Sequence, residues 1–182
     1  MPNKPRILLA GLLLAAAALA QAEQADRDKN IEITSDNGCV SELKNKNVST
    51  CSGNVVVVQG TLRLTGDKLT VSQDKDGNQT LHATGRIVTF RQKMDNDGGW
   101  VEGQTSVLDY DSAKHLVVLT GNARVKRNGD LSIGNVIRYN TLDETFEVVG
   151  GGPSASGQGR AVVIIQPKKK AASQPAGGAA KP

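Results

Sequence analysis

The chain has 182 residues, room for one domain or two small ones, with 38% apolar residues and only 3% aromatics. The whole aromatic set is Phe90, Trp100, Tyr110, Tyr139 and Phe146, too few and too scattered for a base-stacking nucleic-acid platform. The formal net charge of +4 sits at the two ends, because residues 23–167 hold sixteen basic and eighteen acidic residues and so carry no basic footprint for nucleic acid.

Residues 1–22 read as a cleaved signal peptide. Lys4 and Arg6 precede an apolar run from Ile7 to Ala20, and Ala20-Gln21-Ala22 fits a small-x-small cleavage site, with Ala18-Leu19-Ala20 as a second candidate. The run is shorter than the ~20 residues a spanning helix needs. An exported, periplasmic protein follows as an expectation. The cysteines are Cys39 and Cys51. In an oxidising compartment a structural disulfide is the expected state. A turn at Lys44-Asn45-Lys46-Asn47 places the two cysteines nearly opposite one another on its arms.

Past the leader, sustained helical periodicity is absent. Short β-branched and apolar runs recur: Ile31–Ile33, Val55–Val58, Leu62–Leu64, Leu69–Val71, Ile87–Phe90 and Val107–Leu108. They continue as Leu116–Leu119, Ala123–Val125, Leu131–Tyr139, Phe146–Val149 and Val162–Ile165, with turn signals such as Asp76-Gly77-Asn78 and Asn128-Gly129-Asp130 between them. This spacing predicts an all-β sandwich, jelly roll or barrel of antiparallel hairpins. An internal repeat links Ser52-Gly53-Asn54-Val55, Thr84-Gly85-Arg86-Ile87 and Thr120-Gly121-Asn122-Ala123, which predicts hairpins stacked along an axis. Alternation in Leu131–Tyr139 puts the odd, mostly apolar positions on one face. Residues 168–182, opening on Lys168-Lys169-Lys170, hold no bulky apolar residue and read as a disordered basic tail. The folded domain is therefore expected over residues 23–167.

Catalytic chemistry finds no footing. His82 and His115 each sit in a strand-like run without metal-ligand spacing, and the serines lack a nucleophile-elbow context. Asp74-Lys75-Asp76-Gly77-Asn78 faintly resembles a calcium loop but reads as a hairpin turn, since no closing Glu and no helix follow. No enzyme, cofactor or metal site is expected.

Ser52-Gly53-Asn54-Val55-Val56-Val57-Val58-Gln59-Gly60-Thr61-Leu62-Arg63-Leu64 looks like a family signature, as do Gly66-Asp67-Lys68-Leu69, Val101-Glu102-Gly103 and Leu116–Ala123. Together with the leader, these residues resemble the periplasmic lipopolysaccharide-export protein A family, over roughly residues 29–166. The Cys39/Cys51 pair is a departure from that pattern. The resemblance implies a twisted, open β-jelly roll of about sixteen short antiparallel strands around a V-shaped apolar groove. It also implies a non-enzymatic carrier that binds lipopolysaccharide by its lipid A acyl chains. Such carriers stack head to tail and bridge an inner-membrane export complex to an outer-membrane translocon. On this reading the lipid-facing candidates are Ile31, Ile33, Val55, Val57, Leu62, Leu64, Leu69, Phe90, Tyr110, Ile133, Ile137 and Phe146. The stacking edge falls at Val162, Val163, Ile164 and Ile165, with Asn30–Ile33 at the opposite end. The competing classes are a carbohydrate-binding or structural envelope module, for which aromatic platforms are scarce, and an anchored sibling that keeps its leader.

Overall fold

The computed structural model describes Asp26 and residues 29–44, 47–94, 99–143, 145–150 and 159–167. The expected signal peptide and basic tail lie outside the described residues. Among the described residues ten strands form one antiparallel sheet: β1 (Glu32–Thr34), β2 (Cys39–Glu42), β3 (Val48–Gln59), β4 (Leu62–Gln73), β5 (Gln79–Lys93), β6 (Trp100–Asp111), β7 (Leu116–Arg127), β8 (Asp130–Asn140), β9 (Thr145–Val149) and β10 (Val162–Ile164). Strands β3 to β8 pair in chain order, as consecutive hairpins must. Each end of this series carries two short strands: β1 and β2 both pair with β3, and β9 and β10 both pair with β8.

A single row of irregularities crosses all six long strands. The register shifts between Ser52 and Val55, Thr65 and Lys68, Thr84 and Val88, Gln104 and Val107, and Thr120 and Ala123. The repeated motif supplies this crease. In β3 and β7 the Gly-Asn pair takes left-handed backbone on both residues, with φ of 79° and 44° at Gly53 and Asn54 and 85° and 51° at Gly121 and Asn122. Glycine and asparagine are the residues that enter this region at least cost. The middle copy works differently: Gly85 lets its backbone approach Asp67, whose carboxylate accepts the Arg86 N–H at 2.8 Å. Nearly buried Thr105 donates its hydroxyl to the Thr120 carbonyl at 2.7 Å, satisfying a carbonyl in the crease.

The crease divides the sheet into two walls of eight strand segments. Wall I contains β1, β10 and the segments 55–59, 62–66, 88–93, 100–105, 123–127 and 130–134. Wall II contains β2, β9 and the segments 48–52, 68–73, 79–84, 107–111, 116–120 and 136–140. Ten continuous strands thus stand where sixteen short ones are expected, and counting segments on either side of the crease reconciles the two. The architecture is an all-β jelly roll.

The inner face is read directly from the register. On wall II one cross-strand row runs Cys39, Cys51, Leu69, Ala83, Leu108, Leu119, Ile137 and Val148. On wall I the matching row runs Ile33, Val57, Leu64, Phe90, Gly103 and Val125. Leu69, Leu119 and Ile137 are at most 1% exposed. Burial of each such side chain stabilises the fold by ~1.5–3 kcal/mol.

Cys39 and Cys51 are direct register partners and are joined as a disulfide that ties the short edge strand β2 to β3. Closing this loop contributes roughly 2–3 kcal/mol in the chain-entropy model. Thiol titration of the unfolded, unreduced protein is expected to find no free thiol. Reduction is expected to lower the urea midpoint without unfolding the sheet, because β2 is a short edge strand whose exposed residues pair only with β3. Two titratable thiols in the unreduced chain would refute the pairing.

Candidate functional site

A cavity of about 110 Å³ lies between the walls. Wall I lines it with Gln59, Leu62, Leu64, Phe90, Gln92, Val101 and Val125. Wall II contributes Leu81, Leu108, Tyr110, Val117, Leu119, Tyr139, Thr141 and Phe146. The pairing explains why these residues meet only in a folded sheet. Phe90 pairs with Gly103 on β6, seven residues before Tyr110 on the same strand. In a flat sheet they lie about 23 Å apart at ~3.3 Å per residue. Lining one cavity requires the walls to face each other across the crease.

The aromatic rings sit on the inner face. Tyr139 and Phe146 are register partners and stack, with centroids 4.3 Å apart and planes inclined by 20°. Phe90 lies against the bare backbone of Gly103: a Cβ at that glycine falls 2.2 Å from the Phe90 ring. Polar lining is confined to Gln59, Gln92, Thr141 and the two tyrosine hydroxyls. An apolar, non-directional surface of this kind binds hydrocarbon without fixing its orientation.

Of the sequence-derived lipid-facing residues, Leu62, Leu64, Phe90, Tyr110 and Phe146 line the cavity. Val55, Val57, Leu69 and Ile137 are fully buried in the core beneath it. Ile31 and Ile33 pack half-buried against that core at the N-terminal edge. Ile133 is a correction. It pairs with Arg124 and Val162, whereas inward-facing Val125 pairs with Ser132, so Ile133 belongs to the outer face. The irregularity at Asn135 shifts the alternation of β8, so the odd positions face inward only beyond it. Leu81, Val101, Leu108, Val117, Leu119, Val125 and Tyr139 were not anticipated. Alternation within Leu116–Leu119 carried a signal for Val117 and Leu119, but its phase was open without the register.

The candidates for chemistry are structural. His82 accompanies Asp109 on the outer face at 2.6 Å, both half exposed. His115 does not lie in a strand as expected: it closes the β6–β7 turn at φ 52°, and its backbone carbonyl accepts the Thr141 N–H at 2.8 Å. Asp74 caps the β4–β5 turn. Its carboxyl is held below the usual range, chiefly by the hydrogen bond from the Asn78 side-chain amide at 2.9 Å, with backbone N–H groups adding to it. This is a turn carboxylate serving its own loop. No group of three or more His, Cys, Asp or Glu that could hold a metal ion occurs among the described residues.

A creased antiparallel jelly roll with an apolar interior open between two walls defines the class: an all-β protein built around a hydrophobic trough. The family model for the LptA/(LptD N-terminal domain) LPS transport protein matches residues 32–145. The lipopolysaccharide export system protein LptA of Escherichia coli K12 is 38% identical over 143 residues, 78% of this chain and 76% of that protein. The lipopolysaccharide export system protein LptH of Pseudomonas aeruginosa is 31% identical over 169 residues, 90% of this chain and 95% of that protein. The crystal structure of LptH, described as the LptA-homologous periplasmic component of the lipopolysaccharide transport device, superposes with a TM-score of 0.68 at 28% identity, covering 79% of this chain and 99% of that one. The chain belongs to the LptA/LptD N-terminal-domain family of lipopolysaccharide transport proteins.

Proposed function

We propose that the protein is a periplasmic carrier that holds lipopolysaccharide by its acyl chains between the two walls and passes it on without a chemical step. The observation that carries this reading is the cavity itself, lined from both walls almost entirely by aliphatic and aromatic side chains. Each methylene left in water costs ~0.8 kcal/mol, so a multi-acyl amphiphile does not cross an aqueous gap unaided. A trough offers that cargo an apolar path and lets it move, because aliphatic contacts have no preferred register. An apolar cavity of about 150 Å³ admits a benzene. At about 110 Å³, this one admits the end of an acyl chain, and a full chain requires the walls to part about the crease.

On this reading the leader is removed at export. The mature protein links an inner-membrane export complex to an outer-membrane translocon by stacking C-terminal edge to N-terminal edge. The exposed side chains at Val162, Val163, Ile164 and Ile165 support an edge that receives another strand. So does the heterologous character of the two ends, which differ in sequence and therefore give a contact that does not close on itself.

The test is a photo-reactive side chain at Ile31, Ile33, Phe90 or Tyr110 in living cells, with blotting for a lipopolysaccharide adduct. Adducts are expected at Phe90 and Tyr110, which line the cavity, and at the half-buried edge positions Ile31 and Ile33. Thr50 and Val118 on the outer face of wall II are expected to stay clean. Adducts at these two and none at the inner four would show that cargo rides the outside.

A further inference from the structure

The two walls differ sharply in charge. The wall I segments of β4 to β7 carry Arg63, Arg91, Lys93, Arg124, Lys126 and Arg127 against one carboxylate, Glu102. The wall II segments of the same strands carry Lys68 and His82 against Asp109 and Asp111. Adding Glu32 and Asp130 to wall I, and Glu42, Arg138 and Glu147 to wall II, still leaves wall I net positive and wall II net negative, so wall I is the basic side of the trough.

The cations are also arranged at a cost to the sheet. Arg63 on β4 and Arg91 on β5 are direct register partners on the outer face. Like charges directly opposite one another destabilise a sheet. The same row continues through Glu102 to Lys126. Glu102 relieves only part of it: its carboxylate engages Arg91 at 3.2 Å, while Arg91 also lies over the Trp100 ring at 3.8 Å. Arg63, Arg124 and Lys126 are exposed. Wall II shows the contrary habit: His82 pairs with Asp109 and Arg138 with Glu147 across neighbouring strands. A fold does not need two arginines set directly opposite one another, and an anion laid along the row removes the repulsion.

The row also lies close to the β5–β6 hairpin end of wall I, which forms its rim. Lys93 and Trp100 pair at the end of the β5–β6 hairpin, and Arg91 and Glu102 lie two residues further in. At ~3.3 Å per residue they sit within about 10 Å of the rim. The amide side chains among the cavity lining, Gln59 and Gln92, belong to wall I as well.

We infer that the outer rim of wall I, through Arg63, Arg91 and Lys126, is an anion-binding surface that takes the phosphate groups of the cargo headgroup. The amphiphile is thereby oriented with its tails in the trough and its phosphates over wall I. This inference rests on the acyl-binding reading above and adds a polarity to it.

The test compares binding of diphosphoryl lipid A and monophosphoryl lipid A to the full mature chain. The wild type is expected to prefer the diphosphoryl form by roughly three- to tenfold, the scale of a few exposed charge contacts. The preference is expected to shrink in high salt, since exposed charges are screened. The triple variant Arg63→Gln, Arg91→Gln, Lys126→Gln is expected to lose the preference, with the larger fall in affinity on the diphosphoryl form and a smaller one on the monophosphoryl form, which keeps one phosphate. Its urea midpoint is expected to change little, because relief of the Arg63–Arg91 repulsion offsets the loss of the exposed Arg91–Glu102 pair and of the Arg91–Trp100 contact. Lys68→Gln on wall II is expected to change neither affinity. A triple variant that keeps the preference, or loses affinity for both lipids equally, overturns the phosphate assignment and leaves acyl binding standing. A wild type that binds neither lipid refutes acyl binding, and the inference falls with it.

Discussion

Phe90→Asp is expected to abolish lipopolysaccharide binding in a protein that still folds. Phe90 is only partly buried and lines the cavity, so removing its ring sacrifices part of the ~1.5–3 kcal/mol that full burial of such a side chain contributes. The domain withstands that loss because its fully buried side chains, Leu69, Leu119 and Ile137 among them, are untouched. Cargo faces a larger penalty. An acyl chain entering the trough strips water from the new carboxylate and offers it no hydrogen bond, a cost of several kcal/mol. Three kcal/mol already correspond to roughly a hundredfold loss in affinity. Phe90→Leu keeps the surface apolar and is expected to retain most binding. Leu119→Asp places the charge where exposure is 1% and is expected to unfold the chain instead. Urea denaturation and lipid binding, measured on all three, separate a cargo-facing residue from a core one. Equal loss of binding in Phe90→Leu and Phe90→Asp would mean that the ring is needed for its shape and that no acyl chain passes it.

Much of this fold is legible in the sequence because antiparallel hairpins are local objects. Turn residues mark their ends, and β-branched runs mark their arms, so β3 to β8 fall where the runs predict. The cysteine pairing is legible for the same reason: a single short turn fixes which positions of β2 and β3 oppose one another. What the sequence conceals is the phase across the crease. Period-two alternation assumes an unbroken pleat. In β4, β5, β6 and β8 the inward positions change parity at the irregularity: Leu64 gives way to Leu69, Ala83 to Val88, Thr105 to Leu108, and Gly134 to Ile137. In β3 and β7 the Gly-Asn pair preserves parity, and Cys51 and Val55, like Leu119 and Ala123, face the same way. The Ser/Thr-Gly motif is visible as a repeat, yet only the register shows that it is the fold line. Ile133 faces outward because the alternation of β8 does not run straight through that line. The cavity lining is non-local for the same reason, since Phe90 and Tyr110 meet only after the crease brings the walls together.

Loss of the C-terminal edge is expected to leave a folded monomer. β10 pairs with the wall I segment of β8, Val162 with Ile133 and Ile164 with Leu131. It brings no fully buried side chain to the core, and its own residues are exposed: Val163 at 56% and Ile165, just beyond it, at 73%. An exposed, uncharged strand edge is a template for pairing that proteins ordinarily blunt. Its retention here fits a surface that another chain covers. Full coverage of one Val or Ile is worth ~1.5–3 kcal/mol, so losing several weakens association at least roughly a hundredfold. Deleting residues 160–182 is expected to give a monomer by sedimentation at concentrations where the full chain assembles, with β3 to β8 still cooperative in urea. Deleting only 168–182 is expected to assemble as before, since β10 survives. The double variant Val163→Lys, Ile165→Lys keeps the strand and its length while setting two charges on the edge, and it is expected to match the longer deletion. Assembly of all three at the wild-type concentration would place the stacking contact elsewhere, with β9 and its exposed Val149 as the next edge to test.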